Sequence, residues 1–158
     1  MKIVRIYFIS SFFFVFVLIN WQGFCDEKGL ATVLHCYDGD TCRVKTDGGI
    51  WFNVRLFGID AQEMPRRGKK RRPGQPFAEP ATNALNKKAK GKAVRLNQAD
   101  LDGYNRPIVE IWLNDKNLNL EMVEEGWAEA YKGKTKRIAM VPYFKAEKKA
   151  REKKVGIW

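Results

Sequence analysis

Two acidic clusters stand beside turns in this chain. The first is Asp38-Gly39-Asp40-Thr41, and the second is Asp60 and Glu63 in the pentapeptide IDAQE, shortly after Arg55. A further arginine, Arg106, lies in DLDGYNRPIV. With one histidine and three cysteines, the chain is poorly equipped for the imidazole and thiolate sets that hold zinc. Carboxylates are the ligands on offer, and oxygen-only coordination points to a hard cation, calcium or magnesium. Such residues could work on a phosphodiester. A cation held by two carboxylates neutralises the phosphate, a third carboxylate orients or deprotonates a water, and two arginines grip the phosphate bidentately. Asp40, Asp60, Glu63, Arg55 and Arg106 supply that set. Taken singly, each cluster reads first as turn chemistry, with Asp38 and Asp60 as turn residues and Glu63 as a solvated acid. Their combination with a basic loop and Arg106 gives the chemical reading its weight.

These residues need a scaffold. From Gly29 to Gly58 the sequence reads as three strands in a meander: ATVLHCY, an Asp38-Gly39 turn, DTCRVKT, a DGG turn, then IWFNVRLFG. In the third strand Ile50, Phe52, Val54 and Leu56 alternate with Trp51, Asn53, Arg55 and Phe57, which puts Arg55 off the core face. Residues 64–76, MPRRGKKRRPGQP, carry six basic residues, three prolines and two glycines, a loop composition. FAEPATNALNKKAKG predicts a helix closed by Gly91, with Pro80 tolerated in the first turn. KAVRLNQ and PIVEIWL are two further strands, and LNLEMVEEG is a short helix stopped by Gly126. A last helix, from about Val141 to Lys154, places Tyr143, Ala146 and Ala150 on one face. Five strands and three helices predict an α+β domain over 29–158, its short strands arranged as a five-stranded, partly open barrel, with the first hairpin delivering Asp40 to face Asp60 across the barrel mouth.

The first 25 residues stand apart. Lys2 and Arg5 precede an apolar or small run of 14 residues from Ile6 to Ile19, the length of a signal-peptide core and short for a membrane span. Residues 1–25 are read as a signal peptide or an uncleaved anchor, hence an exported protein, touching membrane only through that segment. Phe24 is bulky where a lipoprotein signal wants a small residue before Cys25. The net charge is +11, and only Lys2 and Arg5 of the basic residues precede Cys25, so the basic character belongs to the domain and suits an anionic partner. If Cys25 leaves with the signal, Cys36 and Cys42 remain as a pair straddling the first hairpin; if it stays, one cysteine is odd.

The chain resembles the staphylococcal nuclease (thermonuclease) family. The resemblance rests on DGDT (38–41), VRLFGIDAQE (54–63), DLDGYNRPIVEIW (100–112), NLEMVEEGWA (119–128) and KAEKKAREKKVGIW (145–158), in order over nearly the whole chain after residue 31. It implies an OB-type five-stranded barrel with three helices and calcium-dependent hydrolysis of DNA and RNA. Water attacks, the bond to the 5′ oxygen breaks, and a 3′-phosphate remains. Carried over position by position, Asp40, Asp60 and the main-chain carbonyl of Ala61 would bind Ca²⁺. Glu63 would activate or orient the water, Arg55 and Arg106 would hold the phosphate, and Tyr104 would hydrogen-bond near it. Three positions depart from the family pattern: Gln62 replaces a proline before Glu63, Asn105 replaces a glycine before Arg106, and Gly103 replaces a basic residue.

Arg71 and Arg72, in the basic loop just after Glu63, are read as an electrostatic guide for a polyanion that reads no bases. Tyr131 is the best stacking candidate, ahead of Trp127 and Trp158. The resulting expectation is an exported, sequence-nonspecific nuclease acting on DNA or RNA as a monomer with no obligate protein partner. The alternatives are a catalytically inactive nucleic-acid-binding barrel of the same fold and a membrane-associated basic adaptor.

Overall fold

Apolar alternation folds the first third of the described chain as expected. Strands β1 (Leu30–Cys36), β2 (Thr41–Thr46) and β3 (Trp51–Leu56) form an antiparallel meander. Ala31, Val33, Val44, Val54 and Leu56 point inward and are buried. A short β4 (Ile59–Ala61) follows, then helix α1 (Ala78–Ala89), β5 (Ala93–Leu101) and β6 (Pro107–Leu113). The structure is a computed structural model that describes residues 30–158 except 67, 69, 70 and 136. The signal or anchor segment and Cys25 lie outside the described residues, as do Arg67, Lys69 and Lys70 of the basic loop.

Closure comes from β6, which pairs antiparallel with β5 and returns to β3 in parallel register, Arg55 opposite Ile108 and Leu56 opposite Val109. The ring β3-β2-β1-β5-β6 is a closed five-stranded barrel carrying three helices, the α+β OB-type architecture read from the sequence. Closure removes the exposed edges that five short strands would otherwise present. Register shifts between Val33 and His35 in β1 and between Gln98 and Asp100 in β5 mark bulges that help strands bend around a small barrel.

The closing seam is stapled by a residue from helix α2 (Leu118–Glu124), which follows a two-residue strand β7 (Lys116–Asn117). Asn119 is fully buried. Its Oδ1 accepts from the Ile111 N–H at 3.0 Å, and its Nδ2 donates to the carbonyls of Phe57 and Val109, each at 2.9 Å. One amide thus satisfies three backbone groups where β3 ends against β6, groups that would be costly to bury unpaired. Helix α3 (Val141–Lys153) buries Tyr143, Ala146 and Ala150, as the spacing predicts, and β8 (Ala128–Ala130) pairs with β4.

Strands β4, β7 and β8 span two or three residues, too few to show a period. Ile50, expected on the core face, is 68% exposed. The strand begins only at Trp51, so Ile50 belongs to a hairpin tip beyond the barrel.

Cys36 and Cys42 are directly opposite each other across the β1–β2 connection and form a disulfide. The Asn86 side chain, from α1, accepts from the Cys36 N–H and donates to the Cys36 carbonyl, both at 2.9 Å. The turn holding Asp40 is therefore tied to its partner strand by a covalent bond and to α1 by an amide. Closing so short a loop stabilises by about 2 kcal/mol through the unfolded chain. Urea unfolding with and without reductant should show a loss of that order in wild type and none in Cys36→Ala/Cys42→Ala.

Candidate active site

The acidic site begins in the β1–β2 turn. Asp38 Oδ1 accepts from the Asp40 N–H at 3.0 Å, and the Tyr37 N–H donates to the Thr41 carbonyl at 2.9 Å. The Asp-Gly pair does not form the two-residue hairpin turn expected of it; Gly39 is absent from the positive-φ residues such turns require. It is glycine for lack of room. A Cβ there would stand 2.6 Å from the Ala61 Cβ and 3.1 Å from that of Ala81. The turn is pressed onto β4 and α1, which carries Asp40 inward until only 2% of it is exposed.

Asp40 is held on every side. Oδ1 accepts from the Thr41 hydroxyl at 3.0 Å and from Arg55 Nη1 at 3.2 Å. Oδ2 accepts from the Ala61 N–H at 3.1 Å and lies 3.1 Å from Arg55 Nη2. The same Nη2 lies 3.0 Å from Asp60 Oδ1. Arg55 reaches this position because β3 aims it off the core face, and β4 follows closely enough to return Asp60 and Ala61 to it. Burial pushes the Asp40 carboxyl up to about 7, with Asp38 adding to the rise against the pull of Arg55 and the Ala61 and Thr41 hydrogen bonds. Burial also disfavours the Arg55 charge, but Asp40, Asp60, Asp38 and Glu63 outweigh it and raise the guanidinium above its ordinary value.

Glu63 is exposed on the loop after β4. Its backbone is fixed from the far end of the basic loop. The Glu63 N–H donates to Gln75 Oε1 at 2.6 Å, and the Gln75 N–H donates to the Glu63 carbonyl at 2.9 Å. The rigidity that a proline at position 62 would bring is thus supplied by Gln75, two residues of one loop gripping each other. Arg66 and Arg72 exchange both backbone hydrogen bonds, at 3.1 and 3.3 Å, so the basic loop is pinched at its base. Glu63, Met64, Arg66, Arg72, Pro73 and Gln75 line a cavity of about 280 Å³. Arg72 is thereby brought beside Glu63, whereas Arg71 is exposed and outside that lining.

Arg106 stands at the mouth of β6, two residues before Ile108, the ladder partner of Arg55. Asp102 organises it. Asp102 Oδ1 accepts from the Tyr104 and Arg106 N–H groups at 2.8 and 2.9 Å, and Oδ2 accepts from Arg106 Nε at 2.7 Å. Slight burial opposes its ionisation, but these bonds hold the Asp102 carboxyl below the usual range. Asn105 takes φ 58°, a value asparagine tolerates in place of glycine. Tyr104 is 84% exposed, with the Arg106 guanidinium 5.6 Å from its ring centroid. Tyr131 is not brought to this group. It is half-buried against the core under the 131–135 turn and lines a separate cavity with Lys132, Gly133, Lys134 and Met140.

Sequence reasoning missed Gln75, Asp102 and Asn119. Asp102 had a readable signal, the i,i+4 spacing to Arg106 across a Gly-Tyr-Asn turn; the other two depend on contacts set by the fold.

Among the described residues no group of three or more histidines, cysteines or carboxylates is close enough to form a closed metal site. Asp40 and Asp60 nonetheless fit a hard cation. Both already meet one positive charge within 3.2 Å, both offer oxygen, and burial leaves Asp40 short of positive charge. The pH dependence follows from the raised carboxyl. Below about pH 4 Asp40 is protonated folded and unfolded; as pH rises toward 7 the unfolded chain gives up the proton first, and ionised Asp40 costs the fold stability. Asp40→Asn cannot ionise. Its stability relative to wild type should therefore improve from about pH 4 to about pH 7 by urea unfolding in chelator, and level off above that. A constant difference would refute the raised carboxyl.

The family model for staphylococcal nuclease homologues matches residues 53–158. A thermonuclease of Staphylococcus intermedius is 31% identical over 154 residues, covering 91% of this chain and 88% of that protein. An uncharacterized endonuclease of Haemophilus influenzae is 33% identical over 133 residues, covering 84% of this chain and 67% of that protein. A probable endonuclease of Verticillium alfalfae is 37% identical over 120 residues, 70% of this chain but 40% of its own length. Barrel, acidic pair, arginines and these matches agree: the chain belongs to the staphylococcal nuclease family.

Proposed function

We infer that the chain is an exported, calcium-dependent nuclease hydrolysing phosphodiester bonds of DNA, RNA or both, without reading base sequence. The observation that carries this is the convergence of buried Asp40 and exposed Asp60 on one arginine, Arg55. Relatives described as a thermonuclease and as endonucleases support it. Export is supported by the basic-then-apolar start and by the Cys36–Cys42 disulfide, a bond that persists in oxidising compartments.

Asp40, Asp60 and the Ala61 carbonyl would hold Ca²⁺, which when bound supplies positive charge against the scissile phosphate. Arg106 presents a planar fork suited to a bidentate grip on phosphate oxygens, its Nε braced by Asp102. The Arg55 fork, which here faces Asp40 and Asp60, would turn to the phosphate once a cation takes over those carboxylates. Glu63 orients the water and accepts its proton. The water oxygen bonds to phosphorus as the bond to the 5′ oxygen breaks; the 5′ oxygen leaves with the bonding pair and takes a proton from solvent to become a hydroxyl, and a 3′-phosphate remains. Tyr104, exposed beside Arg106, donates to the substrate phosphate. Arg71 and Arg72 draw the polyanion in.

Digestion of single-stranded DNA separates this reading from an inactive binding barrel. Cleavage should require Ca²⁺ and stop with chelator, and Glu63→Gln should be slower by about 10²- to 10⁴-fold while still binding. Cleavage that ignores chelator, or none by the wild type, would sink the proposal. Arg71→Gln/Arg72→Gln should flatten the salt dependence of single-strand binding by roughly 0.7 for each phosphate that is no longer neutralised; an unaltered slope would remove the guide role.

A further inference from the structure

The outward face of β2 and β3 carries more than Arg55. The ladder runs without a slip from Thr41 opposite Arg55, through Arg43 opposite Asn53, to Lys45 opposite Trp51. Alternation puts Arg43, Lys45, Trp51, Asn53 and Arg55 on one side of the sheet, with Val54 and Leu56 buried on the other. Trp51 is 59% exposed, an unusual state for the largest apolar side chain. The Arg43 guanidinium lies 3.8 Å from the centroid of the Trp51 ring, and its Nη1 donates to the Tyr37 hydroxyl at 3.3 Å. Tyr37 is itself 40% exposed and meets His35 edge-on at 4.4 Å. Arg43 is thus pinned between two aromatics beside Lys45. The face has no carboxylate among its β2 and β3 members between Thr41 and Trp51; the acids nearest in sequence, Asp40 and Asp47, lie beyond its ends.

We propose that this face is a second nucleic-acid subsite, in which a base of a single-stranded substrate stacks on Trp51 and the adjoining phosphate pairs with Arg43 and Lys45. It rests on the nuclease reading and adds to it. Trp51 is four residues from Arg55 along a strand, roughly 13 Å at the rise of an extended chain. A strand whose scissile phosphate is at Arg55 therefore crosses Trp51 a short way along, well inside the roughly 4–16 nucleotides that one such barrel engages. The basic side chains complement a polyanion, and the surface is continuous with the acidic site through Asn53. Arg43, Lys45 and Trp51 all fall outside residues 53–158, so the family match does not assign them. The aromatic element is Trp51, in place of the Tyr131 stacking expected from the sequence, whose ring is packed against the core.

The test is fluorescence anisotropy with a labelled oligothymidylate of about 12 nucleotides, chelator present so that nothing is cut, using the full chain. Trp51→Ala should raise Kd about tenfold, Trp51→Phe should keep most of the affinity because a ring remains, and Arg43→Gln should lower the salt slope by about 0.7. A wild type that binds, with Trp51→Ala binding equally well, overturns this proposal and leaves the nuclease reading standing. A wild type that binds through Trp51 yet cuts nothing with Ca²⁺ overturns the nuclease reading alone. A wild type that binds no oligonucleotide overturns both.

Discussion

Asp40 is a carboxylate with 2% of its surface exposed, and much of the architecture around it answers that one burden. A buried carboxylate survives only when its oxygens are satisfied and a positive charge is near. The satisfaction arrives from three elements at once: the Thr41 hydroxyl opening β2, the Arg55 guanidinium on β3 and the Ala61 N–H on β4. None of these is adjustable independently. Moving β4 away loses the Ala61 donor and Asp60 together; adding a Cβ at Gly39 pushes the turn off Ala61 and Ala81 and withdraws Asp40 from all three. The disulfide and Asn86 then hold the turn from behind. A strong demand for positive charge is thereby built into a rigid place.

The barrel seam sets the second half of the geometry. Arg55 and Arg106 come from strands far apart in the chain, and they share a mouth only because β3 and β6 pair in parallel at Arg55 and Ile108. That short pairing is the weakest ladder in the ring by length, two residue pairs against six between β5 and β6. Asn119 compensates by bonding to both sides of it from α2. A helix away from the acidic pair therefore braces the seam at which Arg55 stands opposite Ile108.

The acids and arginines grouped around Arg55 and Asp102 were legible in the sequence because their signals are local. Asp40 follows a turn, Asp60 and Glu63 follow a strand at short spacing, and strand alternation alone turns Arg55 outward. The five barrel strands, three helices and the buried stripe of α3 were legible for the same reason. The residues that fix this set were not, because their relevance is created by closure: Gln75 meets Glu63 across a loop, and Asn119 meets Phe57 across 62 positions. The short strands β4, β7 and β8 escaped because two or three residues show no period. Where the Tyr131 ring lies was not legible, since an aromatic beside a basic stretch looks the same in sequence whether it faces solvent or, as here, sits half-buried at a cavity.

The Gln62–Gln75 arrangement shows how such a departure is absorbed. A proline before Glu63 would restrict the backbone by its own ring. Glutamine at that position restricts nothing, and a carboxylate that must orient a water gains from a fixed backbone. Here the constraint is transferred across the loop: Gln75 holds both the N–H and the carbonyl of Glu63, and the Arg66–Arg72 pinch lies between them. The two tasks become linked, since the loop that carries the positive charge also fixes the carboxylate. The Arg66–Arg72 ladder and the Gln75 bonds to Glu63 are thus parts of one loop, and a change that loosens either end of it loosens the backbone of Glu63.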